Sequence, residues 1–519
     1  MSAIIDTFSS QNNPTLRIAA ATSGAAAAIL GALALKYNDR AVFRERPKGV
    51  TFVPGHPLIG TLWMQLSNKH RIYDALLENF EKYDAVTIAD SVIFMPPAVL
   101  SVSPANIEYV LKTNFSNYVK GQQMKDALGD LFGHGIFVAN GEGWKYQRKT
   151  ASVLFNVVNF RDHFTDVFVK ELHVMAEHIF DKKAENGKTV DFHDVMHKFT
   201  LDSFVLIGFG SQLNGLLSKK KVPFAESFDI CQANCLDRFI DPFNGLKEFL
   251  HPILSPHTPS IRQHLKIIDE FAYRMVAERR AEGAVHKDLL SRFMNTRNDR
   301  GEPLSDKELR DTVLNFIIAG RDTTAQALSW TFYNLMLHPR VERKLLQEIK
   351  ECIHEEHESD SPALYEAIRK MTYAHAVFYE VLRLYPSVPS NVKVALEDDI
   401  LPDGTPMRKG DTFTWSPYSQ GRSTRVWGPD AKSFRPERWI DQDGNVRREN
   451  PGQWPAFHAG PRVCLGQNLA TLEALVAIVF LLKRYKFTLA PDQEVTYEPS
   501  LTLRMLNGMF VHIEHRTDF

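Results

Sequence analysis

The chain has 519 residues, a formal net charge of −1 at pH 7 and 44% hydrophobic residues. The balanced charge argues against a protein that binds nucleic acid over a broad basic surface, and its four cysteines are too few to form a disulfide framework. The length alone would allow about three domains, but no Gly/Ser-rich or Pro-rich linker divides the sequence. We therefore expect one large catalytic unit, and the low cysteine content favours a reducing, cytosol-facing location.

An uncharged, alanine-rich stretch covers residues 18–35. A helix of this length spans about 27 Å, close to the hydrocarbon core of a bilayer at about 30 Å. The alternative is a cleaved signal peptide, because Ala-Leu-Ala near its end resembles a cleavage site. The stretch is followed by five basic residues, Lys36, Arg40, Arg44, Arg46 and Lys48. Since positive flanks stay cytoplasmic, we predict a membrane anchor with a basic flank over residues 1–47 and a cytoplasmic catalytic domain over residues 48–519.

In the next part of the chain, the residue pattern predicts short strands at residues 86–89 and 98–102 and a helix at residues 104–113. A glycine-rich stretch at residues 129–143 follows. Such flexible loops often line pockets, but they are more often only loops. Trp144 and Arg148 then stand four residues apart, which places them on one face of a helix. Alone, this pair could equally be a cation lying over a surface indole.

A long helical pattern begins at the capping box formed by Ser305 and Glu308 and reaches Leu337. Four residues share one face of it: Phe316, Gly320, Thr323 and Ala327. Glycine inside a helix costs about 1 kcal/mol relative to alanine, so something should compensate at Gly320. The sequence leaves two explanations open, the close approach of a ligand and tight packing against a neighbouring helix.

Further along, Glu380 and Arg383 lie on one face of an apolar helix. Residues 417–422 predict strand or turn structure. Asn507 and Gly508 stand between the apolar runs 501–506 and 509–513, which predicts a hairpin.

Cys464 lies in a loop directly before a helical pattern of apolar residues. Free backbone N–H groups and the helix dipole favour negative charge there, which biases a cysteine toward the metal-binding thiolate. Arg462 adds a cation, and the flanking glycines, Gly460 and Gly466, allow the backbone to approach a bulky, flat group. The alternative is a buried cysteine in a glycine-containing loop.

Five residues of this loop match the pattern Phe-x-x-Gly-x-Arg-x-Cys-x-Gly: Phe457, Gly460, Arg462, Cys464 and Gly466. The sequence therefore resembles the cytochrome P450 family, in which one cysteine thiolate is the axial ligand of haem iron. The resemblance implies a mainly α-helical fold with a small β region (α+β), a triangular helical prism around haem b. It also implies that Cys464 is the metal ligand.

Other segments match the family in the same order. The resemblance implies that Trp144 and Arg148 hold a haem propionate, and that the helix carrying Gly320, Asp322 and Thr323 passes over the haem. Asp322 and Thr323 would then be the catalytic residues that deliver protons. The implied cofactor-binding set is Trp144, Arg148, Gly320, Phe457, Arg462, Cys464 and Gly466. The family's structural Glu–Arg–Arg network falls on Glu380, Arg383 and Arg438, and Lys393 stands where an arginine often contacts a propionate.

The family relationship implies a monooxygenase that inserts one atom of O2 into a C–H bond of a lipophilic substrate. With no dinucleotide fingerprint in the sequence, electrons would come from NADPH-cytochrome P450 reductase, with cytochrome b5 as a further partner, at the endoplasmic reticulum membrane. Residues 133–137, 319–324, 397–404 and 502–505 resemble the fatty-acid and alkane ω-hydroxylases of fungi and plants. The alternatives are a lipid-hydroperoxide rearranging enzyme of the same fold and a non-catalytic haem-binding protein.

Overall fold

A computed structural model of the chain describes residues 14–155, 157–218, 222–283, 288–298, 300–358 and 360–519. Helices dominate this part of the chain, and short strands form three small sheets. The first residues of the predicted anchor, 1–13, lie outside the described residues. The architecture is the predicted one, mainly α with a small β region.

The helices, in chain order, are α1 (Pro14–Lys36), α2 (Leu62–Ser67), α3 (Ile72–Lys82), α4 (Pro104–Glu108), α5 (Gln122–Phe132), α6 (Gly141–Ser152), α7 (Thr165–Met175), α8 (Asp181–Asn186), α9 (Phe192–Phe209), α10 (Pro223–Ile240), α11 (Asn244–Leu254), α12 (Ile261–Glu282), α13 (Leu289–Met294), α14 (Asp306–Ile317), α15 (Thr323–Leu337), α16 (Pro339–Cys352), α17 (Glu355–Glu358), α18 (Ser361–Lys370), α19 (Thr372–Leu384), α20 (Pro417–Arg422), α21 (Thr424–Trp427) and α22 (Gln467–Arg484).

The strands are β1 (Thr51–Phe52), β2 (Thr87–Asp90), β3 (Ala98–Ser101), β4 (Tyr118–Val119), β5 (Val190–Asp191), β6 (Asn391–Ala395), β7 (Asp399–Ile400), β8 (Pro406–Met407), β9 (Thr412–Trp415), β10 (Tyr485–Leu489) and β11 (Phe510–His515). Six of them form one mixed sheet in the order β1-β2-β3-β9-β6-β4. The order β10-β11-β5 makes a second sheet, and β7 pairs with β8. The large sheet covers one side of the helical core.

The centre of the core lies where α15 packs against α9, α19 and α22. Helix α22 is apolar around its whole circumference, with thirteen of its eighteen residues buried. Such a helix needs neighbours on every side. It directly follows the Cys464 loop, so the loop is anchored on a deeply buried helix.

Helices α14 and α15 form one continuous helical run, as predicted. The capping box is confirmed, because the Ser305 hydroxyl and the Glu308 carboxylate each bond the other residue's backbone N–H. Between the two helices, residues Ile318–Asp322 form a π-helical turn. A π turn inside an α-helix is commonly found at a functional site, and this one contains Gly320.

The strands predicted at 86–89 and 98–102 are confirmed to within one residue. The prediction for 417–422 is wrong: the segment forms helix α20, capped by the Ser416 hydroxyl, which accepts a hydrogen bond from the Ser419 N–H. Ser416 precedes Pro417, and this Ser-Pro pair is an N-cap followed by proline at N1.

The predicted terminal hairpin is also wrong. Strand β11 pairs with β10, which lies far earlier in the chain, and not with residues 501–506. Asn507 and Gly508 do form a turn, but Gly508 has a φ of +72° and packs so closely on Asp191 that a Cβ atom would lie 2.4 Å from its Oδ2. Long-range pairing therefore overrode the local hairpin signal.

Helix α1 forms over the stretch predicted as an anchor. Over the described residues, no helix combines the length and the hydropathy that crossing a bilayer requires. Tyr37 and Ala41 follow α1 and are buried, so the packed body begins within the predicted basic flank.

Candidate active site

A cavity of about 550 Å³ lies between α15, the Cys464 loop and the large sheet. Its lining is mostly apolar, with aromatic side chains from several elements. Cys464 contributes to this lining, and the exposed surface of the cysteine faces the cavity. A large apolar pocket with a few convergent polar groups is the usual form of a small-molecule site.

The Cys464 loop is shaped by backbone contacts. The Cys464 N–H donates to the Phe457 carbonyl at 2.8 Å. Gly460 has a φ of +62°, and a Cβ atom there would lie 2.0 Å from the Leu111 carbonyl oxygen, so this glycine is needed for packing within the protein. Gly466 differs, because a Cβ atom there would meet only the Cys464 Sγ, at 3.9 Å. The side of Gly466 that has no other close neighbour therefore lies next to the Cys464 sulfur.

Burial raises the pKa of the Cys464 thiol, while the Gly466 N–H and the positive charge of Arg148 lower it. The prediction that the helix N-terminus biases this cysteine toward thiolate is therefore not met by the protein alone, because desolvation is the larger effect. A bound metal ion would deprotonate the thiol outright.

Trp144 and the two predicted arginines meet at one wall of the cavity. The Arg462 guanidinium lies 4.5 Å from the centroid of the Trp144 ring, and that of Arg148 lies 5.9 Å from it. Arg462 also donates to the Ala139 carbonyl at 2.7 Å. All three side chains line the cavity. Burial and the neighbouring Arg148 lower the pKa of Arg462 to about 10.

Two lysines extend this cluster of cations. Burial, followed by the charge of Arg462, lowers the pKa of Lys120 to about 7. Burial, with Lys120 and Arg462, lowers the pKa of Lys393 to about 5. Within the described chain, the Lys393 Nζ has no hydrogen-bond partner. We call Lys120, Arg148, Lys393 and Arg462 the cation cluster.

The π turn brings Gly320 against the ring of Phe204, where a Cβ atom would lie 1.9 Å from a ring carbon. Of the two explanations for this glycine, tight packing on a neighbouring helix therefore accounts for it, although Gly320 also lines the cavity. Thr323 lines the cavity as well, and its hydroxyl donates to the Ala319 carbonyl at 2.7 Å. The shared face predicted from helical spacing is confirmed.

Asp322 is placed differently from Thr323. Its carboxylate is buried and does not line the cavity. It accepts hydrogen bonds from Arg321 and Gln232, both at 2.8 Å. Arg321 in turn pairs with Asp229 at 2.8 Å. The structure thus brings Asp322 next to the threonine but holds its carboxylate in a buried ionic network behind the cavity wall.

Glu473 is a second acid beside the π turn. It lies on α22, lines the cavity and accepts a hydrogen bond from the Thr324 hydroxyl. Its Oε1 has no partner in the described part of the molecule. Burial raises the pKa of Glu473 well above its ordinary value, although the hydrogen bond from Thr324 lowers it.

The glycine-rich loop is a cavity wall. Ile136 and Phe137 line the cavity, and α14 holds the loop in place. The Asp311 carboxylate accepts from the His134 N–H at 3.0 Å, and the Asn315 side-chain oxygen accepts from the Phe137 N–H at 3.2 Å.

The predicted Glu–Arg–Arg network is present away from the cavity. Glu380 accepts from Arg383 at 2.7 and 2.8 Å and from Arg438 at 3.0 Å. The Trp439 indole and the Arg435 N–H also donate to it, at 2.9 and 2.8 Å. The Glu380 and Arg383 side chains have no exposed surface, so the network is a closed structural unit.

Sequence reasoning missed Lys120, Glu473 and Asp90, all of which line the cavity. A signal existed for Glu473, because it is the only charged residue of α22 before Lys483. Nothing in the local sequence distinguishes Lys120 or Asp90 from surface residues, since their neighbours across the sheet come from distant parts of the chain.

In the described residues, Cys464, the wall of cations and the π turn border one cavity. A profile of the family "Cytochrome P450" matches residues 51–510. The chain is 36% identical to cytochrome P450 704B1 of Arabidopsis thaliana, over 89% of this chain and 94% of the relative. It is 35% identical to the cytochrome P450 monooxygenase cyp1 of Mycosarcoma maydis, over 88% of this chain and 72% of the relative.

The chain therefore belongs to the cytochrome P450 family. It is a monooxygenase with haem b as its cofactor, which requires a redox partner and takes a lipophilic substrate. The residues present fit this cofactor. No salt bridge joins the cation cluster to an acidic side chain among the described residues, so the cluster suits two propionate groups. The open side of Gly466 leaves room beside the Cys464 sulfur for a flat ring.

Proposed function

We propose that the enzyme hydroxylates long aliphatic chains, fatty acids or alkanes, at or near the chain end. The observation that carries this proposal is the cavity of about 550 Å³ whose apolar lining runs from Cys464 to the large sheet. In the reaction, one atom of O2 enters a C–H bond and the other leaves as water. NADPH supplies two electrons through NADPH-cytochrome P450 reductase, and cytochrome b5 is a further electron donor.

The roles of the site residues belong to the same proposal. Cys464 would be the axial ligand, with Phe457 and Gly466 beside it, and the cation cluster together with Trp144 would bind the propionates. When bound, the haem supplies oxygen activation and transfer. Thr323 would hold a proton-donating water at the cavity wall. Asp322 would keep that helix turn in position through Arg321 and Gln232.

The ligand assignment is tested with Cys464→His. The reduced wild-type enzyme with carbon monoxide should give the strongly red-shifted band of a thiolate ligand, and the variant should lose it. Retention of the band would contradict the assignment. The substrate class is tested by product mass analysis of fatty acids and alkanes with reductase and NADPH. Turnover of a lipid hydroperoxide without reductase would favour the rearranging alternative, and haem binding with no product would favour a non-catalytic role.

We also propose that the chain works at the cytoplasmic face of the endoplasmic reticulum membrane, with residues 1–47 as membrane attachment and residues 48–519 as the catalytic domain. Helix α11 supports this. Its exposed apolar residues include Leu246, Phe249 and Ile253, which lie on one helix face. A patch of this kind marks an interaction site. Replacing Phe249 and Ile253 by glutamate should weaken binding to phospholipid vesicles, and unchanged binding would remove α11 from the proposal.

A further inference from the structure

Five charged side chains line the cavity, and they fall into two sets. The cations Lys120, Arg148 and Arg462 belong to the cation cluster beside Cys464. The acids are Asp90 and Glu473. Glu473 is on α22 next to Thr324, whereas Asp90 is the last residue of β2 in the large sheet. The two acids are thus on different walls.

The sheet separates Asp90 from the cations. In the order β1-β2-β3-β9-β6-β4, strand β2 is four spacings away from β4, and Lys120 directly follows β4. Strands lie about 4.8 Å apart, so the two residues are about 19 Å from each other across the sheet. Cys464 and Asp90 line the same cavity, so a long chain with one end near the cysteine can extend along the sheet toward Asp90.

Asp90 accepts hydrogen bonds from neutral side chains but forms no ion pair among the described residues. Its Oδ2 accepts hydrogen bonds from the Thr61 hydroxyl at 2.9 Å and the Gln65 amide at 3.4 Å. Among the hydrogen bonds and ion pairs of the described residues, none reaches its Oδ1, and no cation pairs with it. Burial raises the pKa of Asp90 to about 6, although the bonds from Thr61 and Gln65 lower it. Near pH 8 it is ionised, with one oxygen free to accept.

Met64, Leu76, Val92 and Met95 line the cavity together with Asp90. The polar lining residues Asn79 and Gln123 direct their amides at the sulfurs of Met64 and Met95. An ionised fatty acid ending here would bring a second negative charge next to an unneutralised carboxylate in a poorly solvated place, which is unfavourable. A hydroxyl group would instead donate a charge-assisted hydrogen bond to the free oxygen.

We propose that Asp90, held by Thr61 and Gln65, is a specificity subsite for an uncharged, hydrogen-bond-donating chain end, so that the enzyme prefers long-chain alcohols to ionised fatty acids. This inference rests on the proposed function, because it assigns the remote end of the same aliphatic substrate. An alkane has no group that can donate a hydrogen bond to Asp90, so the subsite does not strengthen its binding.

The test uses the haem-loaded, full-length enzyme at about pH 8, where both Asp90 and a fatty acid are ionised. Lauryl alcohol, lauric acid and dodecane are each titrated, and the dissociation constant is read from the substrate-induced change in the haem absorption spectrum. The wild type should bind the alcohol about tenfold more tightly than the acid, the size of one charge-assisted hydrogen bond. Dodecane should fall between the two.

Asp90→Asn keeps the shape and an acceptor but removes the charge. It should tighten lauric acid binding and bring the alcohol-to-acid ratio close to one. Gln65→Glu, which adds a charge at the same place, should weaken acid binding further and serves if the first variant folds poorly. The matched control is Asp84→Asn, at an exposed carboxylate paired with Arg425, which should leave the ratio unchanged.

The inference is overturned if wild-type enzyme binds lauric acid as tightly as lauryl alcohol, or if Asp90→Asn leaves their ratio unaltered. Failure of the proposed function is a separate result, since none of the three compounds would then give a hydroxylated product with reductase and NADPH.

Discussion

Two clusters of buried charge have opposite designs. Around Glu380, the anion accepts hydrogen bonds from Arg383, Arg438 and Trp439 and is fully enclosed. In the cation cluster, basic groups lie beside one another, and the Lys393 Nζ has no hydrogen-bond partner among the described residues. Buried charges are stable only when they are paired. The first cluster is therefore complete within the protein, whereas we propose that the haem propionates complete the second.

The largest effect should come from breaking the complete cluster. Glu380→Gln leaves two buried arginines without their shared anion, and the expected loss is about 3–5 kcal/mol of stability, with or without haem. Urea unfolding of both forms measures it. The control is Glu366→Gln in the exposed Glu366–Arg369 pair of α18, which has the same spacing and should cost less than about 1 kcal/mol. Similar losses of stability in the two variants would contradict the expected difference between the buried network and the exposed pair.

A substitution in the cation cluster should stabilise the haem-free protein but weaken its hold on haem. Lys393→Met removes a buried amine without a partner, so it should stabilise the haem-free protein by about 1–3 kcal/mol. The same variant should lose haem faster, by about tenfold, because one propionate partner is gone. Transfer of haem to an acceptor protein measures the second effect. Lys409→Met, at an exposed lysine paired with Glu397, should change neither quantity. Destabilisation of the haem-free form would refute this interpretation.

The pH dependence of haem binding sharpens the same contrast. The pKa of Lys393 is lowered to about 5 and that of Lys120 to about 7 by burial and neighbouring cations. Between about 5 and the ordinary lysine value near 10.4, the unfolded chain binds more protons than the haem-free fold, so the stability of that fold rises with pH. Propionates should raise the pKa values of both lysines, so the lysines take up protons on haem binding, whereas the Cys464 thiol releases one. Calorimetry in buffers of different ionisation enthalpy measures the net proton change. Lys393→Met should lower the uptake by up to about one proton, and an unchanged net value in this variant would be inconsistent with the interpretation.

The smallest effect on stability is expected at Thr323, whose hydroxyl is already satisfied by the Ala319 carbonyl. Thr323→Ala should keep haem content and change stability by no more than about 0.5 kcal/mol. It should, however, divert electrons from hydroxylated product to hydrogen peroxide, because the water held at the cavity wall is lost. NADPH consumption, product and peroxide are measured together.

Thr324→Ala is the matched comparison for Thr323. Its hydroxyl is buried and donates to Glu473, so the loss of coupling should be milder. A larger loss of coupling in the Thr324 variant than in the Thr323 variant would show that the wrong hydroxyl was chosen.

Local signals in the sequence predicted those parts of the molecule that depend on neighbours in the chain. The capping box at Ser305, the shared face of Gly320 and Thr323, and strands β2 and β3 are of this kind. The hairpin at Asn507 failed because its turn is real but strand β11 finds a better partner in β10. Helix α20 was missed because a short Ser-Pro start also suits a turn.

The parts of the site that could be predicted from the sequence are the cysteine loop and the Trp144–Arg148 pair. Lys120 and Asp90 were not, since their environment is created by strands that the chain order does not reveal. The same applies to the thiol of Cys464: its position before α22 was correct, but the pKa depends on burial by distant elements.

The π turn at Ile318–Asp322 has a consequence for how the long helix can change. A π turn is equivalent to one residue inserted into an α-helix, and each residue advances the helix by about 100°. Deleting one residue here would therefore rotate Thr323, Ala327 and the rest of α15 by about that angle relative to Asp311 on α14. This one extra residue therefore sets the rotation of the cavity-lining half of the helix relative to the half that holds the glycine-rich loop.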